Sequence, residues 1–85
     1  MTGHRLVEVD WIDSVLETGW VYKGEALGKA SPEAMECQTV GYLLQEHEDF
    51  ILLAMGEMMA SESLLNVVQI PRVAIKGIHD IRRAA

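Results

Sequence analysis

The amino-acid sequence predicts a mainly β fold, a small and strongly bent barrel of five short strands in a single domain spanning residues 1–85. Two observations lead to this prediction. Short apolar or alternating segments recur along the chain between glycines, prolines and acidic clusters. The chain is also too short for the helical crossovers that a parallel sheet requires. Since 49% of its residues are hydrophobic, it is expected to fold rather than stay disordered.

The first strand is predicted over residues 7–11, where VEVDW alternates strictly between apolar and polar side chains. Such alternation is typical of a half-buried strand, and it directs Val7, Val9 and Trp11 inward. Residues 18–22, TGWVY, predict a glycine turn followed by a short aromatic strand or extended segment.

A short helix is predicted at about residues 31–36. Ser31 is a suitable N-cap, Pro32 a suitable first helical residue, and Glu33 is favoured by the helix dipole. A loop is the alternative, because the wider segment 23–36 contains two glycines and shows no clear period.

The central hairpin is predicted from residues 39–44 (TVGYLL) and 50–55 (FILLAM), joined by an acidic tip at 46–49. Gly41, in the middle of the first of these strands, indicates either a sharp bend or a close backbone approach. The second strand is apolar on both faces, which predicts burial on both faces.

The rest of the chain predicts two more strands. Residues 56–63 are interpreted as a hairpin loop, with a short helix as the alternative. A strand over 65–70 ends at Pro71, which cannot donate to a sheet ladder. Residues 74–81 are interpreted as the last strand, although their isoleucines also fit one stripe of a helix.

Charge is unevenly distributed. Residues 1–69 carry three Lys/Arg against twelve acidic residues, whereas residues 70–85 carry four Lys/Arg against one acid. The acidic majority argues against broad nucleic-acid binding, which needs an extended basic surface. The basic end leaves room for one local anion site, while Arg82 and Arg83 are predicted to be solvated.

Catalytic, metal and cofactor sites are not predicted. His4, His47 and His79 share no metal-ligand spacing, and Cys37 has no evident histidine partner. The acidic tip at 46–49 is interpreted as solvated rather than as a metal site. With one cysteine, no apolar run long enough to span a bilayer and no signal-peptide pattern, a reducing cytoplasm is the expected location.

The candidate ligand-binding residues are Arg72, Trp20, Lys76, Glu48 and Asp49. Arg72 follows a proline at a strand end, where a fixed guanidinium suits bidentate contact with a phosphate. Lys76 would add charge, the two acidic residues would form a polar rim, and Trp20 would stack on a base. The alternatives are a surface arginine paired with an acid and a tryptophan that belongs to the core.

Three segments together resemble the Sm-like barrel, a member of the SH3-like class. They are TVGYLL at residues 39–44, FILLA at 50–54, and VQIPR at 68–72 followed by isoleucines at 75 and 78. The resemblance implies rings of five to seven copies and RNA as one class of partner.

A second resemblance covers most of the chain and is to short phage-encoded proteins. It is carried by WIDS at residues 11–14, GW at 19–20, TVGYL at 39–43, ED at 48–49 and IPR at 70–72. It implies a phage or prophage origin.

The functional hypothesis is a non-enzymatic, homo-oligomeric binding protein that captures a small anionic, nucleotide-like ligand. For a phage, such capture would sequester a nucleotide signal of host immunity. An RNA-binding ring and a protein adaptor without a small ligand are the alternatives. Self-association is expected because so apolar a chain is too small to bury all its apolar surface alone.

Overall fold

The computed structural model describes residues 3–14, 16 and 18–82, without the side chain of Ala34. Arg83 lies outside the described residues, so the prediction made for it is not addressed. Three helical segments interrupt the strands: an α-helix, α1, at Lys23–Lys29 and two 3-10 helices, at Pro32–Met35 and at Arg72–Ala74. The five strands are β1 Arg5–Ile12, β2 Glu36–Glu46, β3 Phe50–Met58, β4 Ser63–Pro71 and β5 Ile75–Asp80.

All five strands form one antiparallel sheet with the order β4-β3-β2-β1-β5. The prediction of a mainly β, five-stranded fold is therefore confirmed. A closed barrel is not confirmed, because β4 and β5 form the two edges of the described sheet and do not pair with each other.

One apolar cluster forms the core. Its buried members come from β1 to β4, and partly buried residues of β5 pack against them. Because β4 and β5 lie at opposite edges yet reach the same cluster, the sheet must curl around it. The core residues are Val7, Val9, Leu43, Ile51, Leu53 and Ile70.

The first strand follows its sequence pattern. Val7 and Val9 are fully buried, and Trp11 packs against the core while its indole N–H donates to Thr39 Oγ1 at 2.9 Å. The inward direction predicted for the three residues is confirmed.

Gly41 lies where β2 passes close to β3. A Cβ atom placed on Gly41 would be 2.9 Å from the carbonyl oxygen of Ala54, closer than real Cβ contacts come. Of the two explanations that the sequence allowed, the structure therefore shows the close backbone approach.

The burial predicted for both faces of residues 50–55 is wrong for Leu52 and Met55. Ile51, Leu53 and Ala54 are buried, but Leu52 is half-buried and Met55 is exposed. Leu52 lies on the face of β3 opposite Ile51 and Leu53, which are the residues that enter the core. Met55 is exposed because β2 pairs with β3 no further than Ala54, so the strand continues beyond the rest of the sheet.

The two helical segments between β1 and β2 differ in how well the sequence predicted them. The 3-10 helix at Pro32–Met35 confirms a short helix near residues 31–36. Helix α1 was not predicted, because its seven residues include two glycines and none of them is buried, so they carry no apolar stripe.

The hairpin between β3 and β4 is longer than predicted. Residues 56–58 and 63, assigned to a loop from the sequence, belong to the two strands, and the turn is confined to 59–62. We call residues 55–67 the arm. It is a two-stranded ribbon, since its β3 half has no partner in β2.

Candidate functional site

The turn after β4 lies against the tip of the β2–β3 hairpin. The backbone N–H of Arg72 donates to Asp49 O at 2.8 Å, and Arg72 Nε donates to His47 O at 3.0 Å. Arg72 Nη2 lies 3.7 Å from Glu46 Oε1. The guanidinium is thus held at the tip by one short hydrogen bond and one long ion pair.

A second arginine adds to the ion pairs at this end of the sheet. Arg5 Nε donates to Asp80 Oδ1 at 2.8 Å, and Arg5 Nη1 lies 3.9 Å from Glu46 Oε2. The hydrogen bond with Asp80 raises the pKa of Arg5, and the same bond lowers the pKa of Asp80. Glu46 therefore lies between two guanidinium groups and joins β1, β2 and the turn after β4.

A cleft of about 580 Å³ lies between β1, β5 and the beginning of β2. Lys76 lines it, and its Nζ lies 2.8 Å from Glu36 Oε1, a contact that raises the pKa of Lys76. Asp10 and Glu33 also line the cleft. Three carboxylates against one paired lysine make this cleft better suited to a cationic group than to an anion.

The cleft also contains a carboxylate–histidine pair. Asp10 Oδ2 lies 3.2 Å from His79 Nε2, while Asp10 Oδ1 is buried with no hydrogen-bond donor among the described residues. A ligand N–H group entering the cleft would find an acceptor there.

Cys37 borders the same cleft but lies on the other face of the sheet from this pair. Trp11 is paired with Cys37, and the adjacent pair, Asp10 with Gln38, alternates to the opposite face. The Cys37 thiol instead makes a long contact of 3.6 Å with Met35 O. The strand register thus separates the thiol from Asp10 and does not favour a cysteine–histidine–carboxylate arrangement.

The five predicted site residues fall into three places. Arg72 and Asp49 meet at the hairpin tip, with Glu48 beside them in the same turn. Lys76 lies in the cleft, which Arg72 does not line. Trp20 is fully exposed in the segment before α1, so its assignment to the core, the alternative left open by the sequence, is wrong.

The most extensive uncovered feature is apolar, and the sequence analysis missed it. The arm exposes six large side chains over thirteen residues, and both its faces contribute to them. The apolar content of residues 55–67 could have indicated this surface. It was overlooked because residues 56–63 were assigned to a hairpin loop. The exposed side chains are Met55, Met58, Met59, Leu64, Leu65 and Val67.

Within the described part of the chain, no group of three or more His, Cys, Asp or Glu side chains is arranged to hold a metal ion. None of the helices in those residues has the length and apolar content needed to cross a membrane. Comparison of the chain with protein-family models, curated proteins and solved structures finds no match. The Sm-like and phage resemblances therefore stay predictions.

Proposed function

We propose that this chain is a non-enzymatic binding protein that works as a homo-oligomer. The observation that carries the proposal is the amount of apolar surface left uncovered in one copy. Thirteen large hydrophobic side chains are exposed among the described residues, whereas only seven hydrophobic residues are buried there. Surface of this kind marks a protein interaction site.

The sheet edges support the same proposal. β4 and β5 each leave one edge without a partner strand in the described sheet, and such edges readily pair with another chain. Charged side chains on an edge strand discourage pairing, but β4 carries no Lys or Arg, and the one such residue on β5, Lys76, is paired with Glu36.

The test is the mass of the protein in solution. We expect analytical ultracentrifugation at micromolar concentration to give a single species containing two or more copies. A monomer throughout the range from about 1 to 100 µM would contradict the proposal, because a specific standard-size interface commonly gives affinities at or below the micromolar level.

Binding of a small anion at the hairpin tip is a second candidate function. It adds a ligand to the homo-oligomeric binding protein proposed above. It is favoured by the fixed position of Arg72, whose guanidinium is oriented by His47 O before any ligand arrives. Preorganisation of this kind reduces the entropy lost on binding. A nucleotide-like phosphate, including a signal of host immunity, is the ligand class, and an oligomer would present several such arginines.

Charge favours this candidate over the RNA-binding ring. Arg5, Arg72 and Lys76 lie beside carboxylates, and the chain has 13 Asp and Glu residues against 7 Lys and Arg residues, which disfavours an extended basic track for a nucleic-acid backbone. Binding measurements distinguish the small-anion candidate from the other alternative, a protein adaptor without a small ligand.

Replacing Arg72 with alanine is expected to weaken binding of a nucleotide ligand by about 1.5–3 kcal/mol, as for other charged hydrogen bonds. Lysine should restore part of the loss, because it supplies charge without the planar fork. Calorimetric titration of the three proteins against a nucleotide panel makes the measurement. If wild type and Arg72→Ala bind a nucleotide equally well, Arg72 is not part of the binding site. If wild type binds no nucleotide of the panel, the result favours the protein adaptor.

A further inference from the structure

The arm lacks the packing contacts that a stable two-stranded hairpin needs. A two-stranded hairpin is at best marginally stable in water unless a third strand or another layer packs on it. Beyond Ala54 the arm has neither, and its Leu65 and Met58 side chains remain more than half exposed. It therefore requires a covering surface that one copy, over the described residues, does not supply.

Residues 18–29, which comprise α1 and the segment before it, also lack a covering surface within the described part of one copy. Helix α1 has seven residues, two of them glycine, and buries none of them. An isolated helix shorter than about 12 residues is marginal in water, and glycine weakens it further. Trp20, Tyr22 and Leu27 are all more than two-thirds exposed.

The charges on these two surfaces are opposite. The arm carries Glu57 and Glu62 and no Lys or Arg, whereas residues 18–29 carry Lys23 and Lys29 against Glu25. None of these five side chains takes part in an ion pair within the described residues. Two negative charges on one surface thus match a net positive charge on the other.

We propose that residues 18–29 of one copy pack on the arm of a second copy. This inference rests on the homo-oligomer proposed above and names the two surfaces that meet. Trp20 and Tyr22 supply the large aromatic anchors typical of interface centres, and the arm methionines adapt to their shape. Lys23 and Lys29 lie towards Glu57 and Glu62.

A second copy is the occupant because both complementary surfaces belong to the same chain. The contact joins two different patches, so each copy offers one arm and one 18–29 segment to its neighbours. A head-to-tail contact of this kind closes into a ring when the rotation between copies allows it.

Charge inversion with cross-complementation tests the contact. The arm variant is Glu57→Lys with Glu62→Lys, and the segment variant is Lys23→Glu with Lys29→Glu. Each alone should self-associate at least tenfold more weakly than wild type, because like charges then face each other across the interface. An equimolar mixture should regain association of one variant with the other, since each variant's altered surface matches the other's; the two variants alternate, so a closed ring of them contains an even number of copies.

Controls separate the contact from folding and from general charge effects. The four positions are exposed, so circular dichroism and the thermal midpoint of each variant should stay close to wild type. The double variant Asp13→Lys with Glu33→Lys makes the same charge change as the arm variant at two exposed positions that lie on neither surface, and it should assemble like wild type.

Several outcomes would overturn this inference. If wild type is oligomeric and both charge-inverted variants assemble normally, the surfaces named are wrong while the proposed homo-oligomer stands. If each variant is impaired but the mixture does not recover, the two surfaces do not meet. If the variants lose thermal stability with no change in oligomeric state, the segment covers the arm of its own chain. A monomeric wild type would overturn the proposed function as well.

Discussion

Replacing Gly41 with valine is expected to lower the free energy of unfolding by about 3 kcal/mol, the upper part of the range for overpacked interiors. Any Cβ at this position would lie 2.9 Å from the Ala54 carbonyl oxygen, which is backbone and cannot rotate away. β2 and β3 would have to separate at the place where they still pair, at Tyr42 and Ala54. Urea denaturation at one fixed protein concentration gives the measurement.

The matched control is a glycine on the neighbouring strand. Gly56 lies in β3, and a Cβ placed there would meet nothing within 4 Å. Gly41→Ala should therefore destabilise by about 1–2 kcal/mol, whereas Gly56→Ala should be neutral or stabilise by up to about 1 kcal/mol through the unfolded chain. Equal effects of the two alanines would show that β2 does not pass close to β3 at Gly41.

Truncating Ile51 to alanine is expected to destabilise the fold by about 2–5 kcal/mol. Ile51 is fully buried, is paired with Ile70, and belongs to the central apolar cluster. The expected loss combines the missing transfer free energy with the cavity left behind, and Ile51→Val should lose only about 1 kcal/mol.

Its neighbour Leu52 provides the internal comparison. The two side chains point to opposite faces of β3, and Leu52 is half-buried. Leu52→Ala should therefore cost less than Ile51→Ala in the same urea experiment. If Leu52→Ala costs as much or more, the outer face of β3 is also buried in the folded protein, as it would be beneath a neighbouring copy.

The candidate site was partly accessible to sequence reasoning. Pro71 ends a strand, so Arg72 was expected at the end of a strand, and the structure places it there, against the hairpin tip. Local sequence did not reveal that Arg72 Nε is already bonded to His47 O and that Lys76 pairs with Glu36, forty residues away.

Local sequence predicted the central part of each strand, because a side-chain period of two is a local property. The alternation around Val7 and Val9, the stop at Pro71 and the short helix after Ser31 each depend on a few adjacent residues. The order of the strands in the sheet could not be predicted from local sequence, because β5, the last strand, pairs with β1, the first strand.

Which apolar residues are covered depends on the packing of distant parts of the chain. Leu53 and Leu65 have the same chemistry, yet one is buried and the other is exposed. The difference is that β2 accompanies β3 as far as Ala54 and no further, so the arm extends past the strands that would cover it. Burial depends on strands that come from elsewhere in the chain. The local sequence of residues 55–67 does not indicate that β2 stops pairing with β3 at Ala54.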